Sequence, residues 1–458
     1  MRDRREISRT RKRLAFDYLL RHVLRPRAMQ FPDARQRDGN YTVADAALSA
    51  LAMFSLKDPS LLAFQNRRHD QNMKNLYRIV NVPSDTQMRD ILDPLEPDLL
   101  RPLFQDVFRE LQRGKALEPF VFFQGSYLLS LDGTEYFSSQ KVSCPCCLQR
   151  QHKNGQVTYY HQMLGAALVH PDQHVVIPFA PEAIVQQDGQ TKNDCERNAA
   201  KRLLEKIRRE HPKLNLTIVE DGLASNAPHI RLLKQLQFHF ILGAKPDDHQ
   251  HLFSEVERAS REGRLTTLCW TERGKGREAA AVQCELRFVN NVPLNQSNED
   301  LLVNFLQYTE YDAQGRVLKR FSWVTDFTIT QENAKLLMRG GRSRWKIENE
   351  TFNTLKNQGY HFEHNYGHGQ QHLSVVLAML MMLAFLLDQV QSLCDPQFQA
   401  VRAKFSSLRM VWEHVRSHFH HFEFVCMEHL YEVILTDAAK GLPAPGFGSH
   451  RYAQTDDW

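Results

Sequence analysis

The sequence lacks the features that mark secreted, membrane and disulfide-rich proteins. Eight cysteines in 458 residues are too few for a disulfide framework, so reduced thiols are expected. The N-terminal residues contain no apolar stretch flanked for cleavage, which argues against a secretory signal. The longest apolar run, residues 373–387, has about 15 residues and falls short of the ~20 that span a bilayer. These absences predict a cytoplasmic protein without a membrane partner, in which the apolar run forms a buried helix.

Charge is also close to balance, and the sequence contains no internal repeat and no long low-complexity segment. The formal net charge is +5, with 24% charged and 42% hydrophobic residues. This mild basic bias permits a nucleic-acid partner without requiring one. Ten lysines and arginines fall within residues 1–27; this segment either contacts phosphates or is a solvated terminus. The length predicts two or three domains.

Apolar residues at helical spacing dominate residues 1–120. Thr42 is expected to cap one helix, Pro83 and Ser84 to start a second, and residues 97–111 to form a third. A helical bundle at the front of a basic chain is a candidate DNA-binding domain. A packing domain without DNA contact is the alternative.

The rest of the chain divides into four further segments. Residues 121–250 show strands first and then strand–helix alternation, which predicts an α/β fold with a mixed sheet and helices on its faces. Residues 251–328 are interpreted as a β-rich insertion. Residues 329–370 contain a helix that completes the core, and residues 371–458 form a helical C-terminal region.

Two carboxylates follow strand patterns, and a third lies on the predicted helix. The first apolar strand is expected to end at Asp132, where Gly133 lets the backbone turn. A second apolar strand delivers Asp221, and the helix carries Glu348. Convergent carboxylates bind hard ions such as Mg²⁺ or Mn²⁺, and two such ions about 3.5–4 Å apart promote phosphodiester chemistry. Asp132 would then lie between both ions, with Asp221 and Glu348 holding one each.

The helix around Glu348 carries basic and aromatic residues at intervals of four. Arg344, Glu348, Phe352 and Lys356 would share one face of a regular α-helix. Arg344 and Lys356 could then contact phosphates beside the metal ligand, while Phe352 anchors the face to the sheet. Taken singly, a Glu between Arg and Lys is more often a solvated salt-bridge face, so the order of all three carboxylates carries the interpretation.

Four segments resemble one known family. They are LDGTEY (residues 131–136), VEDGLASNAPHI (219–230), WVTDFTIT (323–330) and RWKIENETFNTLKNQGY (344–360). The chain resembles the insertion-sequence transposases of the DDE class, in the group with a β-rich insertion before the Glu helix. The resemblance spans most of residues 125–370.

This resemblance implies a ribonuclease-H-like catalytic fold, dependence on Mg²⁺ (or Mn²⁺), and cutting and joining of transposon ends. The Asp, Asp and Glu of the family correspond to Asp132, Asp221 and Glu348. Its Arg and Lys correspond to Arg344 and Lys356, which are expected to bind substrate. The implied partners are double-stranded DNA and, because two DNA ends must meet, a second copy of the chain. A nucleoid-associated location in the cytoplasm follows.

The chain departs from the family pattern at two places. Gly341 stands where the group usually has Tyr, and the interval from Glu to Lys is one residue longer. The longer interval leaves Glu350 as an alternative third carboxylate. Glu348 is preferred because it keeps the expected spacing from Arg344, whereas Glu350 would point about 200° away around an α-helix.

Cysteines and histidines cluster soon after Asp132. Cys144 and Cys147 have the spacing of a zinc knuckle. The favoured zinc set adds His152 and Cys195, while Cys146 and His161 are alternatives, and free thiols remain the competing interpretation. His361, His364 and His368 follow the Glu helix and are interpreted as phosphate contacts, as helix-end packing or as a metal site.

Two other functions compete with a transposase. A DNA nuclease would use the same site to cut without joining. A domesticated element would bind DNA without cutting it. The presence of all three carboxylates argues against the second alternative, because a DNA-binding protein gains nothing from acids that repel one another.

Overall fold

The computed structural model describes residues 12–35, 39–184, 192–273 and 281–436, without the side chains of residues 192–195 and 273. Residues 1–11 of the basic N-terminal segment and the side chain of Cys195 therefore lie outside the described residues. Within them the chain forms one mixed sheet with helices packed around it. This arrangement confirms the α/β prediction.

The sheet combines eleven strands of the described chain in the order β2-β3-β1-β6-β7-β11-β10-β9-β8, with β4 and β5 also paired to β3. The strands are β1 Tyr127–Ser139, β2 Leu148–Gln151, β3 Val157–Val169, β4 Ile177–Pro178, β5 Glu182–Ile184, β6 Leu216–Glu220, β7 His239–Gly243, β8 Thr266–Arg273, β9 Ala281–Pro293, β10 Leu302–Tyr311 and β11 Val317–Thr325. Strands β1, β6 and β7 are mutually parallel at the centre, and the outer pairs are antiparallel.

The helices precede, interrupt and follow the sheet. The α-helices are Phe16–Tyr18, Arg25–Ala28, Val43–Ser55, Leu61–Gln65, Gln71–Asn75, Asp85–Leu92, Arg101–Arg113, Lys192–Glu210, Ala227–Gln235, Gln250–Arg261, Ala334–Arg342, Asn353–Asn357, Leu373–Cys394, Pro396–Lys404, Leu408–His421 and Met427–Thr436. Short 3₁₀ segments lie at Lys12–Leu14, Pro97–Leu100, Glu118–Phe120, Phe123–Gly125, Gly222–Ala224, Gln296–Asn298 and Ser343–Trp345. Two π-helical segments lie at Leu19–Leu24 and Ile347–Phe352.

Two predicted helix starts in the first 120 residues are confirmed, and the third predicted helix begins with the 3₁₀ turn Pro97–Leu100 before Arg101–Arg113. The hydroxyl of Thr42 accepts a hydrogen bond from the backbone N–H of Asp45 at 2.9 Å. Ser84 forms a reciprocal capping box with Gln87. Each cap satisfies backbone N–H groups that a first helical turn leaves unpaired, so these two starts could be located from the residue types alone.

Strand β1 does not end where the sequence pattern placed its end. It continues through Asp132 and Gly133 to Ser139, because β3 pairs with it along this whole length. Gly133 is therefore a strand residue rather than a turn residue. A Cβ at this position would meet a carboxylate oxygen of Glu196 at 2.7 Å, so the glycine permits a close approach of the Lys192–Glu210 helix.

The β-rich segment is continuous with the central sheet. Its last strand, β11, pairs antiparallel with β7, with Trp323 opposite Gly243. Strands β10, β9 and β8 then extend the sheet in sequence. The pattern analysis missed β10 and the helix Gln250–Arg261. Since these strands share the sheet and the hydrophobic core with the centre, the division of the chain into five segments stays a prediction.

The helix Leu373–Cys394 lies inside the protein. Its 22 residues are long and apolar enough to cross a membrane by length and composition, but 83% of its apolar window is buried within the structure. It packs against Val43–Ser55. The prediction of a buried helix is confirmed, although the helix exceeds the apolar run because Asp388 and Gln391 extend it while remaining buried.

A buried ion pair connects the two helical regions. Lys57 Nζ lies 2.6 Å from a carboxylate oxygen of Asp388, and the Lys57 side chain is fully buried. The hydroxyl of Tyr360 donates to the same carboxylate. The ammonium group also lies 4.0 Å from the ring centroids of both Tyr360 and Trp412. The pair thus fixes the N-terminal helices against the segment that follows Glu348.

Replacing Lys57 by Met is expected to destabilise the protein by about 3–5 kcal/mol, because Asp388 would keep a buried charge without its cation. The backbone of Lys57 is left-handed, with φ of 58°. Lysine and methionine are equally unfavourable in this conformation, so the backbone does not contribute to the difference. The double variant Lys57→Met/Asp388→Asn should recover part of the loss, since the amide oxygen of the introduced asparagine remains an acceptor for Tyr360. Urea unfolding measures this, with the exposed Lys74→Met as control. Equal losses for Lys57→Met and Lys74→Met would contradict the account.

Candidate functional site

The parallel pairing of β1 with β6 sets two aspartates side by side. Ser130 lies opposite Val219 in this register. Asp132 and Asp221 each lie two positions further along, so they occupy the same level of adjacent chains. Asp221 begins the loop after β6, where its carboxylate accepts a hydrogen bond from the N–H of Leu223 at 2.9 Å. Both aspartates line one small cavity.

The segment that carries Glu348 is helical, as predicted, but it is not one regular α-helix. An α-helix, Ala334–Arg342, passes into a 3₁₀ turn, then into the π-helical stretch Ile347–Phe352, and returns to α-helix at Asn353–Asn357. The prediction that Arg344, Glu348, Phe352 and Lys356 share one face assumed a regular α-helix, so it does not hold along the whole segment. A π-helical stretch within an α-helix often marks a functional site.

Arg344 connects this segment to the sheet. Its guanidinium lies 2.7 Å from a carboxylate oxygen of Glu348 and 3.6 Å from one of Asp132. The hydroxyl of Ser130 also donates to the backbone carbonyl of Arg344 at 3.0 Å. The structure thus brings the carboxylates of Asp132 and Glu348 together beside one cation.

Glu350 lies in different surroundings from Glu348. Its carboxylate is 3.9 Å from the ring of His174, a residue of the loop between β3 and β4. Glu348 instead shares Arg344 with Asp132. The structure places Glu348, and not Glu350, beside the first aspartate.

Asp132 is partly buried, with 28% of its side chain exposed. Burial raises the pKa of Asp132 to about 7; the guanidinium of Arg344 opposes this rise, and the carboxylate of Glu348 adds to it. Two neighbouring acids that share one arginine leave negative charge that a bound cation would compensate.

Phe352 fixes the height of the Glu348 segment above the sheet. The side chain is buried, and its ring lies over Gly165, which pairs with Asp132 across β1 and β3. A Cβ at Gly165 would meet the Phe352 ring at 2.9 Å, so only glycine permits this approach. Lys356, one turn further, pairs with Glu363 at 2.8 Å, and no described contact joins it to Glu348.

The structure gives a steric reason for glycine at position 341, where the family pattern usually has tyrosine. A Cβ on Gly341 would lie 2.6 Å from the indole ring of Trp323 on β11. The indole therefore occupies the space into which a side chain at position 341 would project. The helix before Glu348 packs directly on β11 as a result.

A cleft of about 710 Å³ opens beside Asp221. Its wall includes five basic side chains together with exposed aromatic rings: Lys245, Lys319, Arg320, Arg342, Arg344, Phe321 and Trp345. The exposed fractions of Phe321 and Trp345 are 39% and 48%. Cations and exposed rings beside clustered carboxylates form a surface suited to a nucleic-acid backbone and its bases.

The structure changes the ligand set that was predicted for the cysteine pair. Cys144 and Cys147 come together with His161 and His368. His152 does not join them, because its ring nitrogen pairs with the hydroxyl of Thr158 at 2.8 Å. Strand pairing explains this outcome, since β3 carries His161 back beside β1 while His152 lies at the β2–β3 turn.

Sequence reasoning missed several polar groups beside the aspartates. Glu196 lines the cavity shared by Asp132 and Asp221 and accepts a hydrogen bond from Gln162 at 2.7 Å. Glu220 and His229 are 2.6 Å apart. Burial alone would lower the pKa of His229, but Glu220 raises it above its ordinary value. The VEDGLASNAPHI segment contained both residues, and only the packing of the helix Ala227–Gln235 shows that they meet.

Comparison with known proteins identifies the class. Residues 139–386 match the transposase DDE domain family, which is more than half of the chain. The chain belongs to this family, and the matched region contains Asp221 and Glu348 but begins after Asp132. Membership indicates a transposase that acts on DNA and, as in the family generally, uses a divalent metal. No curated protein matches the chain.

Replacing Gly165 by Ala is expected to destabilise the protein by about 1–3 kcal/mol, because the new methyl group overlaps the Phe352 ring. In the Gly165→Ala background, Phe352→Leu should cost less than it does alone, since the smaller side chain removes the overlap. Urea unfolding of the four proteins measures this coupling. Additivity within about 0.5 kcal/mol would show that the two residues do not meet.

Asp132→Asn is expected to stabilise the protein in EDTA at pH 8 by about 1–4 kcal/mol, because the wild type must ionise a partly buried acid. The pKa of Asp132 is raised to about 7 in the folded state, so wild-type stability relative to the variant falls as pH rises from about 4 to 7 and then levels. Unfolding of the wild type and of Asp132→Asn at pH 5 and pH 8 tests whether their stability difference changes with pH in this direction. A difference independent of pH, as expected for the exposed control Asp247→Asn, would contradict it.

Proposed function

We propose that this chain is a DNA transposase that binds the ends of an insertion sequence and catalyses divalent-metal-dependent cleavage and strand transfer through Asp132, Asp221 and Glu348. The observation that carries the proposal is the convergence of these three residues. The β1–β6 register aligns the two aspartates, and Arg344 bridges Asp132 to Glu348. Family membership supplies DNA as the substrate class.

The strand arrangement supports a ribonuclease-H-like core. Antiparallel β3 and β1 are followed by β6 and β7, which run parallel to β1. Parallel strands deliver their carboxyl ends to one edge of a sheet, where ligands commonly bind. Asp221 follows the carboxyl end of β6, Asp132 lies level with it within β1, and strands β8 to β11 would form the β-rich insertion before the Glu348 segment.

The donor set fits a hard divalent ion. Asp132, Asp221 and Glu348 offer only carboxylate oxygens, the ligands that Mg²⁺ and Mn²⁺ prefer. The raised pKa of Asp132 indicates that its negative charge lacks full compensation in the protein alone. These three residues would hold the metal, which when bound activates the attacking oxygen and stabilises the leaving oxygen of a phosphodiester.

The chain's own basic groups would position the DNA. Arg344 pairs with two of the acids, so it can turn one of its guanidinium nitrogens to a phosphate near the scissile bond. The cations Lys319, Arg320 and Arg342 line the adjoining cleft and would follow the backbone away from the site. Lys356 is assigned the same role from the family pattern, which requires that it leave Glu363 when DNA binds.

Further parts of the proposal rest on what transposition requires. Two element ends must be joined to one target, so at least two copies of the chain are expected in the DNA complex. The helical N-terminal region is assigned to DNA binding, and the working location is the cytoplasm, at the nucleoid. A complex that holds both ends with a single chain would disprove the dimer.

The test uses purified full-length protein, labelled duplex DNA with the element's own ends, and Mg²⁺ or Mn²⁺. Asp132→Asn, Asp221→Asn and Glu348→Gln are expected to bind the ends while cleavage and joining fall by about 10³-fold or more. Glu350→Gln is the matched control, with the same chemistry two residues away, and should remain active.

Each alternative outcome has a distinct meaning. Cleavage without joining by the wild type identifies a nuclease. Binding of ends without cleavage identifies a DNA-binding protein that has lost catalysis. If Glu350→Gln is inactive and Glu348→Gln is active, the third carboxylate has been assigned to the wrong residue.

A further inference from the structure

Four side chains with metal-binding atoms converge next to the last part of β1, where Phe137 lies opposite His161. They are Cys144 and Cys147 in the loop between β1 and β2, His161 on β3, and His368 in the loop before the helix Leu373–Cys394. All four ligand atoms lie within 4.8 Å of one another. The residues come from three parts of the chain that are distant in sequence, so the fold and not a local turn brings them together.

The spacing of these atoms matches a tetrahedral zinc site. Zinc bonds of about 2.3 Å to sulfur and 2.0–2.1 Å to nitrogen require edges of about 3.8 Å between sulfurs, 3.5 Å between sulfur and nitrogen, and 3.3 Å between nitrogens. The two sulfurs are 3.4 Å apart, and His161 Nε2 lies 3.2 Å from the Cys144 sulfur and 3.4 Å from the Cys147 sulfur. His368 Nδ1 lies 3.3 Å from His161 Nε2 and 4.0 Å from the Cys147 sulfur. One ion can therefore contact all four atoms with small adjustments.

Two of the four ligands are buried, and aromatic rings pack against both histidines. Cys147 and His161 are buried, with 1% and 3% exposure. The ring of Tyr136 stacks on His161, and the ring of Phe137 packs edge-on against His368. A site whose four positions are all filled by protein ligands is structural rather than catalytic.

Two alternative explanations for the cysteine pair fit less well. A disulfide would place the sulfurs about 2.05 Å apart, whereas they are 3.4 Å apart. A pair of hydrogen-bonded thiols would not explain why two imidazole nitrogens also face the same point. Two sulfurs with two imidazoles are the donor set of structural zinc sites, and they differ from the all-oxygen set that suits Mg²⁺.

We propose that Cys144, Cys147, His161 and His368 bind one structural zinc ion that fastens the loop after β1 and strand β3 to the loop beyond the Glu348 segment. Asp132 lies on β1, and Gly165 and His161 lie on the same strand, β3. His368 follows the segment that carries Glu348. The ion would thus join the sheet that carries the first aspartate to the chain that carries the third carboxylate, outside the reacting site.

Two nearby residues provide matched controls. Cys146 lies between the ligands, but its sulfur contacts the backbone carbonyl of Gln371 at 2.9 Å. His152 pairs with Thr158. Both have ligand chemistry and neither faces the cluster, so the site predicts that their replacement leaves zinc in place.

The experiment measures zinc per chain by mass spectrometry in full-length protein purified under reducing conditions. The wild type, Cys146→Ser and His152→Ala are expected to hold about one zinc each, whereas Cys147→Ser and His368→Ala fall to near zero. Should the ligand variants fail to fold, cobalt exchanged into the wild type gives a second measurement. Tetrahedral ligation by two thiolates and two imidazoles then produces strong visible bands and sulfur-to-cobalt charge transfer.

Zinc-free wild type that gives no such cobalt bands would overturn the proposal. So would ligand variants that retain zinc, or a loss of zinc from His152→Ala. The measurement contains no DNA and no catalytic step, so a failure of the proposed transposase activity would not affect it. Conversely, if the protein contains no zinc and still cuts and joins DNA, only the proposal of a zinc site is disproved.

Discussion

The site depends on one constraint, the parallel register between β1 and β6. Because Ser130 pairs with Val219, Asp132 and Asp221 stand level at the edge where β6 ends, although β1 itself continues to Ser139. A shift of one residue would turn one of the two side chains to the opposite face. The buried apolar residues before each aspartate, with Leu128, Leu129 and Ile218 at 0% exposure, fix this register. Core packing thereby sets the separation of the two acids.

The third carboxylate reaches this edge because the helical segment packs unusually close to the sheet. Gly165 leaves room for Phe352, and Gly341 leaves room for Trp323. With the segment this close, Arg344 spans from Glu348 to Asp132. Burial raises the pKa of Asp132 to about 7, the arginine lowers it, and the neighbouring Glu348 carboxylate adds to the rise. The structure therefore retains an electrostatic demand for a cation at the position where the proposed chemistry needs one.

The sequence predicted the parts of the fold that depend on local patterns. The caps at Thr42 and Ser84, the α/β class and the helical nature of the Glu348 segment followed from residue types and spacing. The end of β1 could not be predicted, because the length of that strand depends on its pairing with β3. Likewise, the π-helical stretch around Glu348 arises from packing against the sheet and has no signal in a four-residue spacing.

The carboxylate site and the cysteine–histidine cluster also combine residues that have a local sequence signal with contacts that only the folded chain produces. Asp132, Asp221 and Glu348 could be singled out because each stands in a recognisable segment, although Asp132 lies within a strand and not after it, and the contacts of all three required the structure. The cysteine ligands had a local signal, the two-residue gap. His161 was an alternative ligand and His368 belonged to a separate histidine group, and no local spacing joins them, since 207 positions separate the two residues.

The most direct test of this account is a crystal structure of the protein soaked in Mn²⁺, with anomalous scattering used to locate the ion. The account predicts a manganese peak within bonding distance of carboxylate oxygens of Asp132 and Glu348, on the side of the sheet edge that also carries Asp221. A peak bound by Glu350 instead, or no peak near Asp132 at saturating Mn²⁺, would contradict the claim that these three residues form one metal-binding centre.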